Sequence, residues 1–314
     1  MTAPNAAPPI CLALDAMATR FELVLPDVPA DSAAAARLRA AGEAALEEVR
    51  LTEERWSLFR RDSFLAHIMR AAHTTPVRLD EDDWDLFGAA QRAFELSGGA
   101  FDPCLAPQMA GAGFARPVAI ARAQPGTFAD VALDARARTV SLRRPGLALD
   151  FGGVAKGHAL DRAARALADA GVRSALLHGG TSAVLALGGP FRVLLGGEED
   201  APEAPLADAV LAVSAHHGRR TDAGASHVLD PRRPPGVPDA GDVKMSAAAI
   251  ALAYDADPAP SALADALSTA LLVHGAPLAP EALPHVTQAL KPHGAPWRIA
   301  AGPPLIQTRA LPLP

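Results

Sequence analysis

Asp265 and Thr269 stand four residues apart in Ala264-Asp265-Ala266-Leu267-Ser268-Thr269-Ala270. On a helix they share one face, with Ser268 beside them. A carboxylate and two hydroxyls, with no nitrogen or sulfur among them, form a hard-oxygen set suited to Mg2+ rather than zinc. Mg2+ keeps waters and substrate phosphates among its ligands, so few protein groups suffice. The same residues also suit an ordinary first turn of a helix, with an Asp near the cap and small residues packed behind it.

A second constellation is Ala148-Leu149-Asp150-Phe151-Gly152-Gly153-Val154-Ala155-Lys156-Gly157. Its glycines let a backbone approach a ligand closely, and a following helix would aim its N-terminal amides at the turn. Lys156 adds a mobile cation for phosphate oxygens. No Ser or Thr follows the lysine and the glycine spacing is wrong, so this is not a Walker A loop. A phosphate cradle and a plain tight turn both fit. His227, in Ser226-His227-Val228-Leu229-Asp230-Pro231, is a general acid/base or ligand contact if it is not simply exposed. Gly98-Gly99-Ala100-Phe101-Asp102-Pro103 reads as a turn holding one aromatic and one carboxylate.

These residues need elements to hold them. Residues 11–25 read as one or two strands closed by Pro26 and Pro29. Asp31 or Ser32 caps a long helix whose apolar face runs Leu38, Gly42, Ala45, Val49, Thr52, Trp56. After the broken pattern around Phe59, a second helix spans Asp80 to Leu96, with an acidic first turn. Two strands are expected between Ala129 and Phe151, the second running on through Pro145 to Phe151, and a helix from Gly157 to Gly171. Strands follow at 174–180, 182–189, 191–197, 208–215 and 243–254. A polar loop, 216–242, is long enough to be functional or disordered rather than packed. The last clear helix is 260–275, and the proline-rich residues 276–314 carry no clear element. Strands and helices interleave without a strict βαβ cadence, which favours a mixed α+β fold.

Composition narrows the function. The chain has 314 residues, net charge −6, and basic residues spread along it rather than clustered, so a nucleic-acid footprint is not expected. Its two cysteines, Cys11 and Cys104, build neither a disulfide framework nor a zinc site. No apolar run approaches a membrane span. The first positive charge is Arg20 and Pro8-Pro9 interrupts the start, so no signal peptide is read and a cytoplasmic location is expected; a misassigned start would leave export open.

Taken in order, the motifs resemble the FAD:protein FMN transferase family, the ApbE type. The matching residues are Met17-Ala18-Thr19, Gly98 to Asp102, Asp150 to Gly157 with Asp161-Arg162, His227 to Pro231, and Ala264 to Ala270. The resemblance runs from about residue 15 to 275. It implies one ApbE-like, T-fold-like catalytic unit over 11–275, with 276–314 as an extension packed on it. It also implies a transferase that cleaves FAD, joins the FMN phosphate to a threonine of an acceptor flavoprotein of an electron-transport system, and releases AMP. Asp265 and Thr269 would hold Mg2+ with Ser268 beside them, and a carbonyl at Gly153 would complete the protein ligands. Met17, Ala100, Phe101, Asp102, Asp150 and Lys156 would contact FAD. Phe59 falls where the family has an aromatic near the flavin, and His227 or Val228 would line the flavin site. Lys156 and the metal would stabilise charge on the phosphoryl oxygens, and Asp265 or His227 would take the threonine proton.

The chain departs from the family pattern in three places. Met69 stands where an Asn is usual, Thr181 follows Gly179-Gly180 where Asp or Asn is usual, and Arg233-Pro234 replaces Thr-Gly. Two other readings suit the same motifs: an FAD pyrophosphatase yielding FMN and AMP, and a flavin-binding protein without catalysis.

Overall fold

The structure is a computed structural model that describes residues 7–114, 123–195, 203–216, 226–233 and 245–303. Most of the 216–242 loop, the start of the strand expected at 243 and the end of the tail lie outside the described residues.

Residues 11–25 resolve into a hairpin, β1 (Ile10–Ala16) and β2 (Thr19–Leu25), joined by Met17 and Ala18 at φ 51° and 57°. Two consecutive left-handed residues give the turn whose twist matches a tight hairpin. Helix α1 (Ser32–Trp56) starts where Asp31 accepts the Ala34 N–H at 2.7 Å. It buries the face expected from Gly42 to Trp56, with Leu38 partly buried against the same core.

The break around Phe59 hides a short helix, α2 (Phe64–Ala71), capped by Ser63. Eight residues are too few for periodicity to declare themselves. After β3 (Val77–Arg78) comes α3 (Glu81–Leu96), whose N-terminus is a reciprocal capping box between Asp80 and Asp83. A short α4 (Ala106–Gly111) precedes β4 (Val131–Asp134) and β5 (Thr139–Leu142). The second of these strands stops at Leu142 rather than continuing to Phe151, because Pro145 and Gly146, the latter at φ 77°, turn the chain away.

Helix α5 (Ala155–Asp169) begins two residues earlier than Gly157, so Lys156 sits on its first turn. Then follow β6 (Ala175–Gly179), β7 (Ala183–Leu187), β8 (Phe191–Leu194), β9 (Glu203–Leu206), β10 (Ala209–Ala215) and β11 (Met245–Ala253). Helix α6 (Pro260–His274) ends at Gly275, φ 69°, as a left-handed C-cap. The proline-rich tail contributes β12 (Thr287–Pro292) and β13 (Arg298–Ala301). No element had been assigned there.

The main sheet has eight strands in the order β1-β2-β6-β7-β10-β11-β12-β13, and every neighbouring pair is antiparallel. Helices α1, α5 and α6 pack on one face, and α3 packs on α5 and α6. On the other face a smaller core joins Val184, Leu211 and Ala249 of the sheet to Val193, Ala204 and Leu206 of the β8–β9 hairpin. With both faces covered, β7 is buried at every residue and reads as an unbroken apolar run. The architecture is α+β, as expected. Among the described residues, no helix is long and apolar enough to cross a membrane.

Candidate functional site

The glycine turn and α6 meet because α5 and α6 touch almost backbone to backbone. A Cβ placed on Gly157 would stand 2.1 Å from the Ser261 carbonyl oxygen. Only glycine allows that approach. Asp161, one turn further along α5, reaches across to α6, its two carboxylate oxygens accepting the Ser261 and Ala262 N–H groups at 2.9 Å each. The side chain of one helix thus caps the start of the other. Burial pushes the Asp161 carboxyl up to about 7, against the pull of those two amides. Arg162 beside it holds Glu48 of α1 at 2.5 Å and lies 3.7 Å from Asp82 of α3.

This contact sets the polar cluster. The Asp265 carboxylate, 2% exposed, lies 3.5 Å from the Lys156 ammonium and accepts the Gly157 N–H at 3.3 Å. Burial raises the Asp265 carboxyl above its ordinary value, and Lys156 and the Gly157 amide oppose that rise. Lys156 also donates to the Gly152 carbonyl at 3.1 Å, so its charge is folded back over the turn. One turn on, the Thr269 hydroxyl is 3.0 Å and the Ser268 hydroxyl 2.8 Å from Ser214 Oγ of β10. A Cβ on Gly153 would come within 3.8 Å of Thr269 Oγ1, which places the turn directly over α6.

These groups line a cavity of about 1650 Å³. Asp265, Thr269, Gly153, Lys156 and Asp150 are in its wall. So are Met17, Ala100, Phe101, Asp102, His227 and Val228, and Phe59 at 64% exposure. Ser268 does not line it; it is fully buried and bonded to the Asp265 carbonyl at 2.9 Å and to Ser214. Asp102 touches the cavity, but its carboxylate is spent on the fold, accepting the Cys104 and Phe128 N–H groups. Asp150 accepts the Gly152 N–H at 2.8 Å and so tightens the glycine turn.

Two contributors carried no signal in the sequence, and a third, Met69, stood out there only as a departure from the family pattern. Ser214 lies in an ordinary strand and matters only because β10 runs beside α6. Glu53, on α1, accepts the Met17 N–H at 2.7 Å and holds the left-handed hairpin turn at the cavity wall. Met69, from the unassigned α2, accepts the buried Leu149 N–H through its sulfur at 3.4 Å, just ahead of the glycine turn. The thioether serves where an Asn side chain is usual. At Thr181 the chain turns through Gly180, φ 64°, against Thr19, and Arg233 pairs with Asp230 at 3.7 Å.

A model of the ApbE family matches residues 17–291. The chain belongs to the ApbE family. No curated protein sequence matches the chain significantly. Among solved structures, the ApbE protein of Thermotoga maritima MSB8 is 23% identical at TM-score 0.73, over 93% of this chain and 97% of that one. The flavin transferase ApbE of Vibrio cholerae is 22% identical at TM-score 0.70, over 94% and 98%. The apo flavinyl transferase ApbE of Pseudomonas stutzeri is 22% identical at TM-score 0.69, over 94% of each chain. These likenesses establish the fold across nearly the whole chain.

Proposed function

We propose that this ApbE-family chain is an Mg2+-dependent flavin transferase that moves FMN from FAD to a threonine hydroxyl of an acceptor flavoprotein and releases AMP. The observation that carries the reading is the convergence of Lys156, Asp265, Thr269 and the Gly152-Gly153 turn on one wall of one large cavity. The donor set fits Mg2+. It offers one carboxylate, one hydroxyl and a backbone carbonyl, all hard oxygens, with open cavity where waters and phosphate oxygens would complete the shell. Among the described residues there is no cluster of three His, Cys, Asp or Glu side chains.

Asp265, Thr269 and the Gly153 carbonyl would hold the ion. When bound, it would neutralise charge on the pyrophosphate oxygens. Lys156, whose ammonium lies over the glycine turn, would place its charge on the phosphoryl group that carries FMN. The threonine oxygen attacks the FMN-side phosphorus, the bond to the AMP phosphate breaks, and AMP leaves with the electron pair. With Asp265 committed to the ion, His227, in the cavity wall, would take the hydroxyl proton. Phe101, pressed to within 3.1 Å of a Cβ at Gly153, and Phe59 at the mouth are the ring contacts for the isoalloxazine.

Incubation with FAD, Mg2+ and a coexpressed threonine-bearing flavoprotein tests this by mass spectrometry. The expected products are an acceptor heavier by FMN and one AMP per acceptor. Free FMN and AMP with an unmodified acceptor would make the chain a pyrophosphatase. FAD recovered intact would make it a binding protein.

A further inference from the structure

The cavity extends well beyond the cluster that would hold the pyrophosphate. At about 1650 Å³ it exceeds the roughly 300–1,000 Å³ of a site for one small molecule. Its far wall belongs to the β8–β9 hairpin. Arg192, Val193, Leu194 and Leu195, four consecutive residues, all line it. Side chains of a strand alternate between faces, so a strand presenting a face would contribute every second residue. An unbroken run means that the edge of the strand, with its backbone N–H and C=O groups, borders the cavity. β8 pairs only with β9 among the described residues, so this is the outer edge of a two-stranded sheet.

The edge is short, four residues after Pro190 with Arg192 among them, yet one apolar side chain stands open on it. Proteins blunt exposed edges with short strands, prolines, inward charges or covering loops. Here Val193 and Leu195 anchor the hairpin on the main sheet while Leu194 stands 56% exposed. Of the three exposed large apolar side chains among the described residues, Phe59 and Leu194 both line this cavity. An apolar side chain on an open edge, facing a cavity larger than one ligand needs, fits a second reactant that arrives as an extended chain.

We infer that the outer edge of β8 docks the acceptor, taking its threonine-bearing segment as an added antiparallel or parallel strand. The inference rests on the flavin-transfer reading, because only that reaction requires a protein hydroxyl in this cavity. Main-chain hydrogen bonds to residues 192–195 supply affinity, and an apolar side chain against Leu194 sets the register. An extended segment advances about 3.3 Å per residue, so a strand seated here carries its threonine along the β8 border of the cavity that Lys156 and Asp265 also line.

The test uses the full chain with FAD bound and, as probe, a neutral acetylated octapeptide amide of alternating valine, serine and threonine. Hydrogen–deuterium exchange is followed at the amides of residues 191–195, and FAD affinity is measured separately by quenching of flavin fluorescence. The peptide is expected to slow exchange of at least two of these amides by about fivefold. Leu194→Asp is expected to remove that protection and weaken peptide binding about tenfold, with FAD affinity unchanged. Unchanged exchange at 191–195 with FAD bound would overturn the docking site, as would full protection in Leu194→Asp. If FAD itself does not bind, the flavin-transfer reading fails instead, and the two failures are told apart by that measurement.

Discussion

Replacing Gly157 by Ala adds one carbon at the point where α5 and α6 come closest. That carbon would stand 2.1 Å from the Ser261 carbonyl oxygen, 2.4 Å from its carbon and 2.7 Å from the Ala262 nitrogen. A carbon–oxygen contact normally rests at about 3.3–3.6 Å, so the helices must part by about 1 Å. All three obstructing atoms are backbone, which no rotamer change can move aside. Alanine ordinarily favours a helix interior over glycine by about 1 kcal/mol. Overpacking of this kind costs about 1–3 kcal/mol, so the net loss of stability should be only about 0–2 kcal/mol. Activity should suffer far more. The Asp265 contact to the Gly157 amide is already 3.3 Å long, and one further ångström ends it. The Lys156–Asp265 pair, 3.5 Å apart across the same seam, loses its alignment with it. A misplacement of about 1 Å in a catalytic group costs about 100-fold in rate. AMP release from FAD with acceptor and Mg2+, set beside urea unfolding of the same variant, separates the two effects. Turnover within about twofold of the parent chain would refute the claim that this close contact sets the site.

Asp265→Ala should lower turnover by about 100-fold or more, since it removes the carboxylate that faces Lys156 and Thr269; full turnover, read by AMP release, would refute its metal role. Asp161→Ala uncaps α6 and leaves two buried amides unpaired, so urea unfolding should register a loss of about 2–4 kcal/mol. His158 is fully buried, and neither ring nitrogen has a hydrogen-bond partner among the described residues. Burial first, and then the charges of Arg162, Arg165 and Arg55, lower its pKa from 6.5 to about 3. Between pH 6.5 and about 3 the unfolded chain therefore takes up a proton that the folded chain refuses, and stability falls as pH drops through that window. His158→Leu should lose less stability than the parent between pH 7 and pH 4 in urea titrations; equal losses would show that the imidazole is not the cause. Asp161, whose carboxyl is pushed up to about 7, acts in the opposite sense in both proteins and cancels from the comparison.

The long helices were legible because period and caps agree: Asp31 and Asp80 each stand before an apolar stripe and do cap α1 and α3. The helix carrying Asp265 was equally readable, whereas residues 11–25 read only as one or two strands, without the turn at Met17 and Ala18. Elements that depend on partners were not readable. β9 is four residues, Glu203–Leu206, with a proline, and exists because β8 pairs with it and the main sheet receives its apolar side. β12 and β13 lie in a proline-rich tail whose local sequence argues for coil, yet Gln288 and Thr287 are fully buried in β12, which pairs with β11 on one side and β13 on the other. In the site, the i, i+4 spacing placed Asp265 and Thr269 on one helix face. Spacing could not reveal that Gly157 and Asp161 seat α6 against α5, because those are contacts between segments about 100 residues apart.

The scarcity of aromatics, with ten Phe, three Trp and one Tyr, looked unpromising for a chain that must hold a flavin. Their placement answers the objection. Phe151, directly before Gly152-Gly153, has its ring 5.4 Å from Trp56 and 5.1 Å from Phe87, both edge to face. Trp56 in turn meets Phe64 of α2 and Phe87 of α3 at 5.8 and 5.9 Å. Pairs of this kind contribute about 0.5–1.5 kcal/mol each beyond the area they bury. Three helices are thereby fixed on the one residue whose carbonyl accepts the Val154 and Ala155 amides and so starts α5. A turn that must let a phosphate approach closely has glycines in place of side chains and cannot stiffen itself. Here stiffness is supplied by the packed rings of Trp56, Phe87 and Phe151, and under the flavin-transfer reading Phe59 and Phe101 are the rings offered to the isoalloxazine. Few aromatics suffice because recognition is concentrated on charge, and charge needs a rigid turn more than it needs a stacking surface.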